Sequence, residues 1–405
     1  MKRIACSLAA FGGLNPFRAL LATASTAIPG TPLPGTTSVS GSSSGSLAGK
    51  KGLIRRTYRP PNYEMPFEAF EHHFTPNDQF FVRYHLADIR MIDVREWELR
   101  VMGEGVAKPL VLTLEDLERN FPLVRLAAVC ACAGNRRGLL KPRVPGIQWE
   151  YGAMGNARWA GVRLKDILEK AGLGENAVEV VFDGGDSGSL PKTPDFRKSL
   201  PMWKALDDNT LIAVEMNGHP LPHWNGFPAR LVVPGWTATY WVKHVTDIKV
   251  VTTPDSGFWM SKAYRIPKDR FRNQDRFATQ ETDADAPITT IAVNSLITNL
   301  ADKQRAPVRE PLHIQGIAWD GGNGIQRVDI SIDGGQNWRV AELGPDAGRF
   351  SWRPWSFAWR PERAGEAMVM VRATNRIGET QPFDAIANPS GYHHNAVQKL
   401  SINVG

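Results

Sequence analysis

Apolar positions along the chain repeat with two different periods, and the two halves use them differently. Up to about residue 280, short helical and extended patterns alternate. Thr113–Asn120 and Val162–Ala171 carry apolar residues three and four apart, the second closed by Gly172, and predict helices. Leu126–Ala133, ended by Gly134, together with Glu179–Phe182 and Arg230–Val233, predict strands. Past residue 285 the texture changes. Gln326–Ile332 (QRVDISI) alternates strictly, Asp333-Gly334-Gly335 is a turn, Trp338–Ala341 pairs back on it, and Met368–Thr374 is a further strand. That end of the chain predicts a small β-sandwich. Residues 268–286 are charged and weakly periodic, which suits an interdomain link. No internal repeat is evident.

Length supports the division. At 405 residues the chain exceeds one ordinary domain of about 100–200 residues, so two cores are expected. With 42% hydrophobic and 22% charged residues, a wholly disordered or collagen-like chain is excluded. No run of 18 apolar residues occurs, so no membrane-spanning helix is predicted.

The sequence pI of about 9.3 invites a nucleic-acid reading, which the distribution of charge removes. Residues 1–57 carry seven Lys or Arg and no acid. Subtracting seven from the 48 basic residues leaves 41 against 41 acidic ones for positions 58–405. A protein that binds through counterion release needs a basic face, and no global excess supplies one. Lys2 and Arg3 precede an apolar stretch from Ile4 to Leu14 and a run of small residues, so residues 1–57 read as an export signal and flexible leader. Asn15, Pro16 and Arg18 interrupt the apolar stretch, and residues 28–49, rich in Gly, Ser, Thr and Pro, read as linker.

Three cysteines are too few for a disulfide framework, and Cys6 lies in the leader. Cys130 and Cys132 share one strand face by the two-residue period; a bridge between them would be strained, and taken alone they read as two small core residues. Arg136 and Arg137 follow directly, and cations there would hold a thiolate or an anion.

Five separated segments then carry a resemblance: FFVRYHLAD, CAGNRR, MNGHPLPHWNGFPARLVVPGW, the following Val242-Lys243, and FWMSKAYRIP. In order and spacing, over roughly residues 60–400, they resemble the molybdenum-dependent sulfite oxidase family, and within it the bacterial haem-free sulfite dehydrogenase subunits. The resemblance implies an α+β molybdopterin-binding catalytic domain over 58–284 and an immunoglobulin-like, dimerisation-type domain over 285–405. It implies a molybdenum cofactor without haem, with Cys132 as the metal's protein ligand and Cys130 as the internal rival. A soft thiolate suits a metal cycling by two electrons. Arg83 and Arg137 are implied as anion clamps, Tyr264 as the active-site hydroxyl, and His85 as a cofactor-binding imidazole. Cofactor contacts are also implied for Phe81, Asp186, Asn225, Arg230, Trp241, Val242 and Lys243, with Arg230 and Lys243 meeting the phosphate.

Two positions depart from the family pattern. Asn225 stands where many oxidases have histidine before Gly-Phe-Pro. Near the C-terminus, where relatives place another active-site arginine, the chain has Ser390-Gly-Tyr-His393-His394, so anion affinity is expected to depend on pH through those imidazoles. The implied reaction is oxidation of sulfite to sulfate by oxygen-atom transfer. No CxxCH haem motif is present, so a soluble c-type cytochrome is the expected electron acceptor, free or as a partner subunit in a heterodimer, with a homodimer as the other arrangement. Asn403-Val404-Gly405 is not a peroxisomal address, and a periplasmic location is expected. The competing readings are a relative acting on another sulfur compound, such as a sulfane dehydrogenase or sulfoxide reductase, and a non-catalytic binding module.

Overall fold

The computed structural model describes residues 47–271, 275–276 and 278–405. The expected leader therefore lies mostly outside the described residues, but its last part does not. Ile54–Thr57 is a strand paired with Asn62–Glu64, and Lys50 is buried. The end of the leader at residue 57 is thus corrected: residues 47–57 are folded, because the Lys50 ammonium donates to Asn77 O at 2.6 Å, Phe80 O at 3.0 Å and Asn225 Oδ1 at 2.6 Å.

Two five-stranded sheets position the site. In the first, Leu123–Ala131 pairs antiparallel with Met154–Arg163, which pairs with Leu211–Met216, itself flanked by His219–Pro220 and Arg230–Val232. The second runs Lys198–Pro201, Glu179–Gly184, Val245–Val251, Leu99–Met102, Leu110–Leu112, with one parallel pairing, Val245–Val251 on Leu99–Met102. The predicted helices form at Leu114–Asn120 and Leu164–Ala171. Thr113 caps the first by accepting from the Asp116 amide, and Asp116 returns the bond. The second buries Leu164, Ile167, Leu168 and Ala171 on one stripe. The sequence pattern had extended that helix back over Val162, which is the end of a strand. Met202–Ala205 and Phe258–Ser261 are single turns. The expected α+β balance is corrected accordingly: among the described residues the architecture is mostly β with few helices, because the apolar runs pair into sheets.

From Asn294 to Val404 a four-stranded sheet faces a five-stranded one. Ile297, Ile314 and Trp355 from the first meet Val328, Val369 and Ile402 from the second in one apolar core. The predicted hairpin is present, with Asp329 opposite Val340. Residues 268–286, expected as a link, are packed where described: Gln280 donates to both carboxylate oxygens of buried Glu179, and Asp285–Pro287 pairs with Arg265–Pro267. This β-rich region is stitched to the cysteine-bearing sheet. Val129 N donates to Phe350 O at 2.9 Å, His393 N to Ala133 O at 3.0 Å, and Asn156 Nδ2 to Ser351 Oγ at 2.8 Å.

Candidate active site

The strand Leu123–Ala131 ends one residue short of Cys132, whose amide donates to Ala153 O at 2.9 Å and fixes the start of the CAGNRR turn. Cys130 and Cys132 both line one cavity, as the two-residue period required. Phe81, Arg83, His85, Asn225, Arg230, Trp241, Lys243 and Tyr264 line the same cavity. Segments more than 170 residues apart in sequence are thereby brought together.

The cavity is positively charged. Arg230, buried, donates to Asn225 O at 2.9 Å and Trp241 O at 3.1 Å, and its Nη2 lies 3.9 Å from Cys130 Sγ. Lys243 Nζ donates to Arg83 O at 2.7 Å and sits 3.9 Å from the centre of the Tyr84 ring. Burial lowers Lys243 to about 7, against the pull of nearby Asp186. Arg83 donates to Tyr84 O and to Asn62 Oδ1 and has no carboxylate partner. No Asp or Glu lines the cavity. Burial also pushes the Cys130 thiol up to about 11, partly offset by Arg230, so Cys130 stays protonated at neutral pH.

His85 and Tyr264 share a hydrogen bond between Nε2 and Oη. Burial, then Arg83, Lys243 and Lys198, holds His85 well below the usual imidazole range, so it is neutral. Burial raises the Tyr264 phenol, so it stays protonated. Tyr264 occupies the left-handed region at φ 57°, which costs a bulky side chain roughly 1–3 kcal/mol. Its ring is stacked on Tyr392 at 5.4 Å and meets His85 edge-on at 5.4 Å. Phe196 stacks on His85 at 3.8 Å.

Several expected positions are not brought to the cavity wall. Arg137 is buried, with Nε donating to Ser390 O at 2.7 Å and Nη1 to Ile147 O at 3.1 Å, and it lies over the Tyr392 ring at 5.3 Å. Tyr392 thus stands between Arg137 and Tyr264. Asp186 is buried behind Lys243, on a two-residue strand paired with Asp88–Ile89. Val242 is a buried backbone link, accepting from Leu231 N at 2.8 Å. The expected pH-responsive histidines are corrected as well. His393 and His394 line a separate small cavity on the other side of Cys132, and burial lowers them to about 3 and about 4, so neither carries charge at neutral pH. Four contributors escaped the sequence reading: Lys50, Thr239, Phe196 and Tyr392. No motif marks them; only the aromatic residue two after Ser390 offered a signal.

The lining fits a molybdopterin group by its own chemistry. Arg230 Nε and Thr239 Oγ1 are buried without a hydrogen-bond partner, and both can donate to an oxygen-rich anion. Among the described residues no group of three or more His, Cys, Asp or Glu could hold a metal unaided, so a soft metal would need most of its ligands from a cofactor, with Cys132 as the protein's thiol.

Comparison with known proteins agrees. Residues 85–259 match the family described as oxidoreductase molybdopterin binding domain, and residues 285–405 match the Mo-co oxidoreductase dimerisation domain. The sulfite oxidase of Gallus gallus is 32% identical over 351 residues, covering 83% of this chain and 74% of that protein. The chain belongs to the sulfite oxidase family. Human mitochondrial sulfite oxidase is 35% identical over 363 residues, covering 85% of this chain. The chain spans about 65% of the length of that mitochondrial relative. Among solved structures, the sulfane dehydrogenase SoxCD from Paracoccus pantotrophus superposes with a TM-score of 0.71 at 27% identity, covering 93% of this chain and all of that one. The sulfite oxidase family therefore accounts for both halves of the chain.

Proposed function

We propose that the chain oxidises sulfite to sulfate and passes the electrons to an external c-type cytochrome. The observation that carries this reading is the cavity with Cys132 at one end and Arg83, Arg230 and Lys243 around it, free of carboxylates. When bound, the molybdenum cofactor supplies the two-electron oxidation of sulfur. The chain's residues do the rest. Cys132 offers the thiol ligand; Arg230 and Lys243 hold the phosphate end through charge-assisted bonds. Arg83 gathers the substrate anion with a planar, permanently charged donor pair. Tyr264 keeps its proton at Oη, and the hydrogen bond it shares with neutral His85 Nε2 holds the hydroxyl in place. Phe80, Phe81 and Trp241 wall the cavity against bulk water.

On this reading the two-sheet region is an immunoglobulin-like pairing module, supported by its match to the dimerisation family. A periplasmic setting rests on the basic-then-apolar start of the sequence. A second reading, oxidation of a sulfane or another sulfur compound, is favoured by one observation: the stretch Ser390–His394, where an arginine is expected, supplies no arginine, and the Ser390 carbonyl is taken up by Arg137. The test is elemental molybdenum content followed by reduction of cytochrome c with sulfite or with a protein-bound persulfide as donor. Sulfite-driven reduction with a strongly raised KM in Arg83→Gln supports the first reading. Turnover only with the persulfide selects the second, and absence of molybdenum sinks both.

A further inference from the structure

A second charged feature lies on the far side of the CAGNRR turn. Arg136 is 3% exposed, and at φ 68° it turns the chain so that its side chain leaves the cavity that Cys132 lines. Its Nη1 donates to Asn294 Oδ1 at 2.8 Å, its guanidinium lies 5.5 Å from the Tyr151 ring centre, and its Nε is buried with no partner. No carboxylate among the described residues forms an ion pair with it. Burial accordingly lowers it to about 10, with only Tyr151 opposing. A buried cation normally has a counter-ion, because removing a charge from water without one is expensive.

The surroundings are arranged to receive that counter-ion. Arg136 forms part of a cleft also lined by Lys141, Asn388, His394 and Lys399. Its one acid, Asp384, is exposed and only loosely paired with Lys399 at 3.8 Å. Three cations against one carboxylate leave an excess of two positive charges. His394 Nδ1 is buried and unpartnered, and the ring is neutral, so it adds a hydrogen-bonding atom without charge. A guanidinium with a free Nε and the ammoniums lining the same cleft are the charge-assisted donors that a tetrahedral dianion takes.

We propose that this cleft is a second anion site, taking a small tetrahedral oxyanion of the sulfate or phosphate class. The site is independent of which sulfur compound the chain oxidises. Because Arg136 lies four residues from Cys132 and beside Arg137, an anion seated there fixes the turn that presents the thiol.

The probe is selenate, whose anomalous scattering locates it in crystals of the full chain. Thermal melting in sodium selenate, against sodium chloride of equal ionic strength, reads binding in solution. The expected results are an anomalous peak in the cleft, selenate-dependent stabilisation that survives Arg83→Gln, and about tenfold weaker apparent affinity in Lys141→Gln. Arg136→Gln is expected to abolish the response; should it not fold, the Lys141 variant decides. A peak confined to the Cys132 cavity, a response lost in Arg83→Gln, or a Lys141→Gln response equal to wild type overturns the proposal.

Discussion

Lys50→Met tests whether the segment before the first strand belongs to the cofactor cavity. In the wild type the ammonium meets three oxygens, including the amide of Asn225 in the cavity wall, and burial lowers it to about 7 from 10.5. The folded pKa lies below the unfolded one, so between these values the unfolded chain binds more protons and stability rises with pH. The penalty of burying the charge is complete below about pH 7 and gone above about pH 10.5. Across the whole window it amounts to about 5 kcal/mol, and between pH 7.5 and 9.5 about 2.5 kcal/mol is relieved. For a chain of this length that corresponds to about 3 °C in Tm. Lys198 and Lys243 are lowered to about 7 as well, so the wild-type curve alone is not diagnostic. The assay is the difference in Tm between wild type and Lys50→Met from pH 7.5 to 9.5. It should move by about 3 °C in favour of the wild type as pH rises. Methionine also leaves Asn225 Oδ1 and two carbonyls without their donor, so the variant should retain less molybdenum. A pH-independent difference with unchanged molybdenum would refute the reasoning.

Cys132→Ser should lose the metal and Cys130→Ser should keep most of it, because the Cys130 thiol is buried against Arg230 and stays protonated; equal molybdenum loss by elemental analysis would overturn the assignment. His394→Gln should leave the dependence of KM on pH unchanged between about pH 6 and 9, since the imidazole is already neutral there; a flattened profile would restore the charged-histidine idea. Tyr392→Ala removes the ring that holds Tyr264 and should lower kcat up to about tenfold with molybdenum retained, while Tyr392→Phe stays within about twofold. A phenylalanine variant as slow as the alanine one would point to the hydroxyl instead.

Strands and helices with a strong period were legible: the helix ending at Asn120, the stripe ending at Ala171 and the QRVDISI hairpin all lie in the chain as residue pattern alone implies. The two thiols on one face followed from the same arithmetic. What escaped depends on long-range packing. Nothing local distinguishes Lys50, in a Gly- and Ser-rich context, from a solvated lysine, because its acceptors come from residues 77, 80 and 225. The two guanidiniums after Cys132 look alike in sequence, yet one stacks behind Tyr392 and the other lies across from the cavity, a division set by the left-handed turn at residue 136. Likewise, the imidazoles at 393 and 394 lose their expected charge to burial, which composition cannot report.

The seam between the cysteine-bearing sheet and the β-rich region limits how this fold can be recombined. The hydrogen bonds cross it in both directions, from Val129 to Phe350, from Asn156 to Ser351 and from His393 to Ala133. Tyr392, which props Tyr264, also comes from beyond the seam. A chimera that swapped residues 285–405 for the equivalent stretch of a relative would import a foreign prop for Tyr264 along with the β-rich region. Such hybrids should inherit reactivity from the donor of the second half as much as from the first, unless residues 348–352 and 388–395 are kept with their native sheet.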